Sequence, residues 1–149
     1  MRAVVQRVTE AEVTVQGSST GSIQKGLVVL LGVEDGDTKK DADYIADKVS
    51  GLRIFDDSEG VMNLSVSDIG GGILSVSQFT LLADARRGKR PSYIKAARPE
   101  AAKELYDYFN SRIEEKGITV GKGIFQAEML VKIYNDGPVT ILLDSKKLF

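Results

Sequence analysis

The sequence contains neither cysteine nor histidine. Without cysteine there is no disulfide, no thiol nucleophile and no thiolate zinc site. Without histidine, the most frequent general base and the commonest metal ligand are also missing. A Ser-His-Asp triad therefore cannot be assembled. Catalysis, if there is any, must draw on carboxylates, hydroxyls, amides, lysine or arginine, backbone dipoles or the substrate itself, and no cofactor or metal site is expected. Long apolar runs are absent too: nothing approaches the ~18 residues that span a bilayer. The opening Met1-Arg2-Ala3-Val4-Val5-Gln6-Arg7 is broken by charge too early to read as a signal peptide. The expectation is a cytoplasmic protein with no membrane partner.

What is present is an ordinary globular composition, 42% hydrophobic and 28% charged over 149 residues, which suits one domain, residues 1–149. A net charge of −1 argues against a general nucleic-acid coat. Its distribution is uneven, however. Between Asp84 and Arg98 lie Arg86, Arg87, Lys89, Arg90, Lys95 and Arg98 against the single acid Asp84. Between Glu34 and Asp47 the sign reverses, with Asp35, Asp37, Asp41 and Asp43 facing only Lys39 and Lys40. A local basic arm on a near-neutral protein suits a polyanion held at one place; a solvated loop with scattered bases fits the composition equally.

Residues 3–15 are rich in β-branched side chains that largely alternate, which predicts one long or bulged strand. Gly17 to Gly21 reads as a turn cluster, Ile23 as part of a short strand, and Leu27 to Leu31 as a buried strand. Asp37 or Thr38 can cap a helix whose apolar positions are Ala42, Ile45, Val49 and Leu52, with Gly51 as its stop. Arg53 to Phe55 forms a short strand, Ser58 to Gly72 is mostly loop, and Ile73 to Gln78 is the next strand. Pro99 suits the first turn of a second helix, with Ala102, Leu105, Phe109 and Ile113 on one face and Gly117 at its end. Ile118–Lys122, Leu130–Asn135 and Val139–Leu143 read as three last strands. The fold class is α+β: two helices packed on a curved, mainly antiparallel, barrel-like sheet.

Two segments do not look like ordinary core. In Ser77-Gln78-Phe79-Thr80-Leu81, polar side chains and backbone N–H groups emerge where a strand stops pairing. Such a strand end can present an oxyanion hole or hydrogen-bond a small acyl group, or simply cap its own backbone. In Asn135-Asp136-Gly137-Pro138-Val139-Thr140, a turn signal runs directly into a β-rich stretch. Proline cannot donate to a ladder, so a bulge, an edge or a tight corner is possible here, although Asn-Asp-Gly read alone favours a plain hairpin turn.

Together these two segments closely resemble the two signatures of the D-aminoacyl-tRNA deacylase (D-tyrosyl-tRNA deacylase) family. The resemblance extends in order through Met1–Val8, Leu52–Phe55, Met62–Ser65, Gly88–Ser92 and Gly123–Met129, and so covers essentially the whole chain. One departure is Leu82, where many members carry an aromatic residue that would touch the pocket rim. Ser77 is similar to the strict type of the family; a related type opens this motif with Pro-Gln and rejects chirality less strictly.

The resemblance implies a homodimer with active sites near its interface, each taking the 3′-terminal aminoacyl adenosine of tRNA and hydrolysing the ester of a D-amino acid. Glycine mischarged on tRNA is a further possible substrate. It implies that Gly137 and Pro138 form a cis pair reaching into the partner's pocket, whose carbonyls crowd an L side chain and so reject it by clash. Ser77 and Gln78 would line the pocket, with the N–H groups near Phe79 and Thr80 facing the ester carbonyl. Thr80 has been viewed as the nucleophile, but no histidine or cysteine is present to activate its hydroxyl. Attack by water assisted by the ribose 2′-OH is therefore favoured. Phe125 and Met129 would pack on the terminal adenine, or form simple core. Arg7 would hold the glycine-proline loop, and Arg86, Arg87, Lys89 and Arg90 would contact tRNA phosphates. A non-catalytic RNA-end binding module, a general esterase using Thr80 or Ser77, and a structural dimer domain are the competing readings.

Overall fold

A computed structural model describes all of residues 1–149. The chain runs β1 (Arg2–Val15), β2 (Ser18–Ile23), β3 (Gly26–Gly32), α1 (Lys39–Gly51), β4 (Phe55–Asp56), β5 (Met62–Leu64), β6 (Gly72–Ser77), a 3-10 turn (Phe79–Leu82), α2 (Pro99–Glu115), β7 (Val120–Lys122) and β8 (Leu130–Asp144). The main sheet has the order β2-β1-β3-β6-β7, with β8 paired along β1. Strands β2, β3 and β8 run antiparallel to β1, whereas β6 runs parallel to both β3 and β7. The sheet is mixed, predominantly antiparallel and nearly closed: the Thr20 hydroxyl on β2 donates to the Lys122 carbonyl on β7 at 3.2 Å.

At β3 both faces of the sheet are covered, which explains its unbroken apolar run. Leu27, Val29 and Leu31 join α1 and α2 in the larger core, while Val28 faces a second core inside the curved sheet with Val8, Val13, Leu74 and Val76. Strands β3 and β6 approach so closely at their start that a Cβ on Gly26 would lie 1.9 Å from the Gly72 carbonyl oxygen. The two helices bury the stripes read from the sequence: Ala42, Ile45 and Val49 from α1, and Leu105, Phe109 and Ile113 from α2. Leu52 and Ala102 pack against this core half-buried.

Several local details differ from the sequence reading. Residues 18–21 belong to β2, so the turn shrinks to Gln16 and Gly17, which take φ of 50° and 80°. Thr38 caps α1, its N–H donating to the Asp41 carboxylate at 2.8 Å; Asp37 instead holds the buried Met1 ammonium at 2.7 Å. Burial of Asp37 raises its pKa, although the ammonium pulls the other way. Helix α1 runs through Gly51, and the strand placed at Arg53–Phe55 lies at Phe55–Asp56. The loop 58–72 contains β5, and β7 starts at Val120 rather than Ile118. Leu82 is 1% exposed and belongs to the core, not to a pocket rim.

The largest correction concerns Asn135 to Thr140, which is not a hairpin. β8 passes straight through this stretch, and both of its halves pair antiparallel with the same strand, β1. Gln6 pairs with Thr140 and Val8 with Asn135, so the four residues from Asp136 to Val139 stand opposite Arg7 alone. The result is a wide bulge. Asn135 spends its turn chemistry on closing it: its Oδ1 accepts from Val139 N–H and its Nδ2 donates to Thr140 Oγ1, both at 3.0 Å. The Gly137–Pro138 bond within the bulge is cis.

Candidate active site

Strand β6 ends where its neighbours leave it. The last link to β3 is the Gln78 N–H donating to the Leu31 carbonyl at 2.8 Å. The chain then tightens into the 3-10 turn, in which Leu81 N–H returns to the Gln78 carbonyl at 3.3 Å. The first two amides of such a turn, those of Phe79 and Thr80, have no acceptor inside it. Gln78 Nε2 donates to Thr80 Oγ1 at 2.5 Å, so the threonine hydroxyl acts as an acceptor and lies beside no base.

Ser77, Gln78 and Phe79 form one wall of an open cavity of about 860 Å³, within the usual range for a small-molecule site. Its floor is aromatic and well tethered. Tyr106 is 3% exposed and donates its hydroxyl to the Ser75 carbonyl at 2.8 Å, two residues before Ser77. Burial raises the Tyr106 pKa, and the Ser75 hydrogen bond offsets part of that. Phe125 packs on the Tyr106 ring with centroids 6.1 Å apart, and Gln126 and Ala127 continue that wall. Gly123 N–H also donates to the Ser75 carbonyl, at 3.1 Å, which seats the turn carrying Phe125 against β6.

The opposite rim is residues 93–99, bound to the end of β3 by Ala97 N–H to Val33 O at 2.9 Å and Asp35 N–H to Lys95 O at 2.8 Å. Asp35 and Arg98 are the charged groups lining the cavity. The sequence reading placed neither Tyr93, Arg98 nor Tyr106 here. Tyr106 carried a signal, a polar-tipped ring directly beside Leu105 on the buried stripe of α2.

The remaining candidates fall elsewhere. Met129 is half-buried against the second core and does not line the cavity. Gly137 and Pro138 also lie outside it within one chain. Arg7 grips their bulge: Nε donates to the Asp136 carbonyl at 3.2 Å and Nη1 to the Ile54 carbonyl at 2.8 Å. The Asp136 and Asp56 carboxylates stand 3.6 and 4.0 Å away, close enough to balance its charge.

The basic arm is a loop from Ala85 to Pro91, pinned at its base by paired backbone hydrogen bonds between Asp84 and Ser92 of 2.8 and 2.9 Å. Arg86 folds back onto Asp84 at 2.6 Å, an ion pair that holds the carboxyl well below the usual carboxylate range. Arg87, Lys89 and Arg90 point outward, exposed. No three His, Cys, Asp or Glu side chains converge as a metal site would require, and no helix is long and apolar enough to cross a membrane.

Comparison with known proteins fits this geometry. The chain is 60% identical to a D-aminoacyl-tRNA deacylase of Koribacter versatilis and 58% identical to one of Thermotoga petrophila, each over the full length of both chains. Among solved structures it superposes on a c-Myc DNA unwinding element binding protein with a TM-score of 0.91 at 40% identity, covering 97% of this chain and 98% of that one. A probable eukaryotic D-amino acid tRNA deacylase shares the fold, with a TM-score of 0.80 at 16% identity over 96% and 98% of the two chains. Residues 4–144 match the family D-Tyr-tRNA(Tyr) deacylase. With two uncommitted backbone amides at the end of β6, an aromatic-floored cavity beside them and full-length identity of this level, the chain belongs to the D-Tyr-tRNA(Tyr) deacylase family.

Proposed function

We propose that this protein hydrolyses the ester joining a D-amino acid to the terminal adenosine of tRNA, releasing the free D-amino acid and tRNA in the cytoplasm. The observation that carries the reading is the end of β6. There Ser77, Gln78 and Phe79 line a cavity next to a basic loop, and Thr80, whose N–H is free like that of Phe79, follows in the same turn just outside the lining. Water attacks the acyl carbon, and the carbonyl oxygen gathers charge that the two amides stabilise. The bond to the ribose 3′-oxygen then breaks, and that oxygen takes up a proton relayed through the neighbouring 2′-OH. Thr80 assists by position and not as a nucleophile, because its only close polar partner is the neutral Gln78 amide.

The protein acts as a homodimer. β8 pairs on one side only and leaves Leu130, Tyr134 and Leu142 exposed on its outer face, 62%, 56% and 55% respectively. An edge with such side chains suits burial against a second copy. The bulge then carries Gly137 and Pro138 into the partner's cavity, where their carbonyls crowd an L side chain and leave room for hydrogen or a D substituent. Glycine mischarged on tRNA is therefore also accepted. Phe125 packs against the adenine; Met129 backs the turn that holds Phe125.

Matched D- and L-aminoacyl-tRNA, carrying the same amino acid, provide the test. Release of the D-amino acid at a rate far above the L rate is expected. No release, or equal rates for the two, would overturn the proposal.

A further inference from the structure

At the outer edge of the cavity, among the residues that line it, stand exposed apolar side chains that hydrolysis of the ester leaves without a task. Phe79 is 58% exposed, Tyr93 40% and Ile94 87%. They stand together at the mouth of the cavity, with the Phe79 and Tyr93 rings edge to face at 5.3 Å and 66°. Their backbone is fixed. Tyr93 follows the Asp84–Ser92 pair that closes the basic loop, Ala96 N–H returns to the Tyr93 carbonyl at 3.0 Å, and Lys95 and Ala97 bond to the end of β3. Rigid rings held at a cavity mouth form a stacking surface at little entropic cost.

We propose that Phe79, Tyr93 and Ile94 form a platform on which the base of the penultimate nucleotide of tRNA stacks, next to the adenosine in the cavity. This rests on the deacylase reading of the site. Spatial order supports the occupant. Arg87, Lys89 and Arg90 lie on the loop, the apolar group at its base, and the cavity beyond. A single strand entering from the loop meets cations suited to its phosphates, then a π surface, then the pocket for its last nucleoside. Asp84, at the base of the loop, is already neutralised by Arg86, and Asp35 lies on the cavity side together with Arg98. Stacking on aromatic faces is tolerant of base identity, so the platform serves any tRNA.

Two variants test the platform without touching the reacting groups: Ile94→Ser, at a position almost wholly in solvent, and Tyr93→Leu, which keeps apolar contact with Phe79 but removes the π face. Tyr93→Leu is expected to raise KM for D-aminoacyl-tRNA about 5- to 10-fold at unchanged kcat, from the usual worth of one base–aromatic stack, and Ile94→Ser by about 2- to 3-fold through lost apolar contact alone. Hydrolysis of 3′-O-D-aminoacyl-adenosine, which lacks the penultimate nucleotide, should fall by a clearly smaller factor than that of the full tRNA. In the parent protein, a tRNA abasic at that position should show the same loss as Tyr93→Leu, with no further loss in the variants. Uncharged tRNA carrying 2-aminopurine there should be quenched on binding the parent and Ile94→Ser, and clearly less on binding Tyr93→Leu. Equal losses on the short and full substrates would assign these side chains to the terminal nucleoside alone and overturn the proposal. So would an unchanged KM for tRNA, or dissociation of the dimer by Ile94→Ser, which would assign the patch to a subunit contact. Quenching without any hydrolysis would leave the platform standing and remove the deacylase reading.

Discussion

Replacing Gly137 with alanine should cost the protein about 2–6 kcal/mol of stability, and most of its activity. Gly137 has a φ of 120°, a conformation that L side chains rarely adopt, and holding another residue there costs roughly 1–3 kcal/mol. The new methyl would also meet Arg7 Nη2 at 2.8 Å, Val139 Cγ2 at 3.0 Å and Val139 N at 3.3 Å. Arg7 cannot simply swing aside, because its side chain is 12% exposed and bonded to the Asp136 and Ile54 carbonyls. Displacing it forfeits charge-assisted hydrogen bonds, worth roughly 1.5–3 kcal/mol each, whereas keeping it compresses the bulge. One of these penalties adds to the backbone cost, not both. Urea unfolding midpoints measure the total, and D-aminoacyl-tRNA hydrolysis reads the consequence for the bulge. The same substitution in an Arg7→Met background separates the two contributions. Without the guanidinium, the penalty of the alanine should fall toward the backbone share, giving a coupling of about 1 kcal/mol or more. A penalty below about 0.5 kcal/mol in the parent, or the same penalty in both backgrounds, would refute the account.

Three other outcomes follow from the site. Thr80→Ala should keep deacylation within about an order of magnitude, whereas a substrate with a 2′-deoxy terminal adenosine should lose about 100-fold or more; an acyl-threonine trapped in the parent would contradict this. Replacing Arg87 and Lys89 together with alanine should flatten the salt dependence of tRNA binding by roughly one to two units, since each phosphate contact contributes about 0.9. Tyr106→Phe should cost about 1 kcal/mol through the lost bond to the Ser75 carbonyl. The folded-state pKa of Tyr106 lies above its ordinary 10.0. Its neutral phenol therefore contributes stability that is complete below the ordinary value and lost as pH rises through the folded-state value. Urea midpoints across the alkaline range should fall less steeply in the Phe variant, and a parallel fall in both proteins would count against the assignment.

The elements legible in the sequence were those whose signal is periodic along one segment. Ala42, Ile45 and Val49, like Leu105, Phe109 and Ile113, announce helix faces because burial repeats every three or four residues. The cavity was legible only through resemblance to a family. Its walls come from the end of β6, residues 93–99 and the turn at Phe125, stitched by backbone bonds such as Gln78 N–H to Leu31 O and Ala97 N–H to Val33 O. Backbone bonds leave no mark on residue type, so Tyr93 and Arg98 read as loop. Met129 shows the converse: its spacing from Phe125 allows either an adenine contact or core, and it packs on the second core.

The misreading of Asn135 to Thr140 has a more specific cause. Asn-Asp-Gly satisfies backbone groups locally, and it does so equally well in a reversal or in a bulge. What decides between them is the partner strand, 129 residues away in the chain at Arg7. A trace of that decision lay in β1 itself. Its buried positions run Ala3, Val5, then Val8, Ala11, Val13, so the alternation slips beside Arg7 and again between Val8 and Ala11. Ala3 and Val5 belong to the helix-covered core, Val8, Ala11 and Val13 to the core inside the sheet. β1 changes cores at Arg7, and its two neighbours meet the change differently: β3 keeps an unbroken register through Gln6, Arg7 and Val8, whereas β8 runs from Asn135 to Thr140 across the same step. The extra length therefore belongs to β8 alone, where Asn135 closes the bulge and Arg7 holds it. The residues of β1 mark where the bulge falls, and those of β8 supply its length.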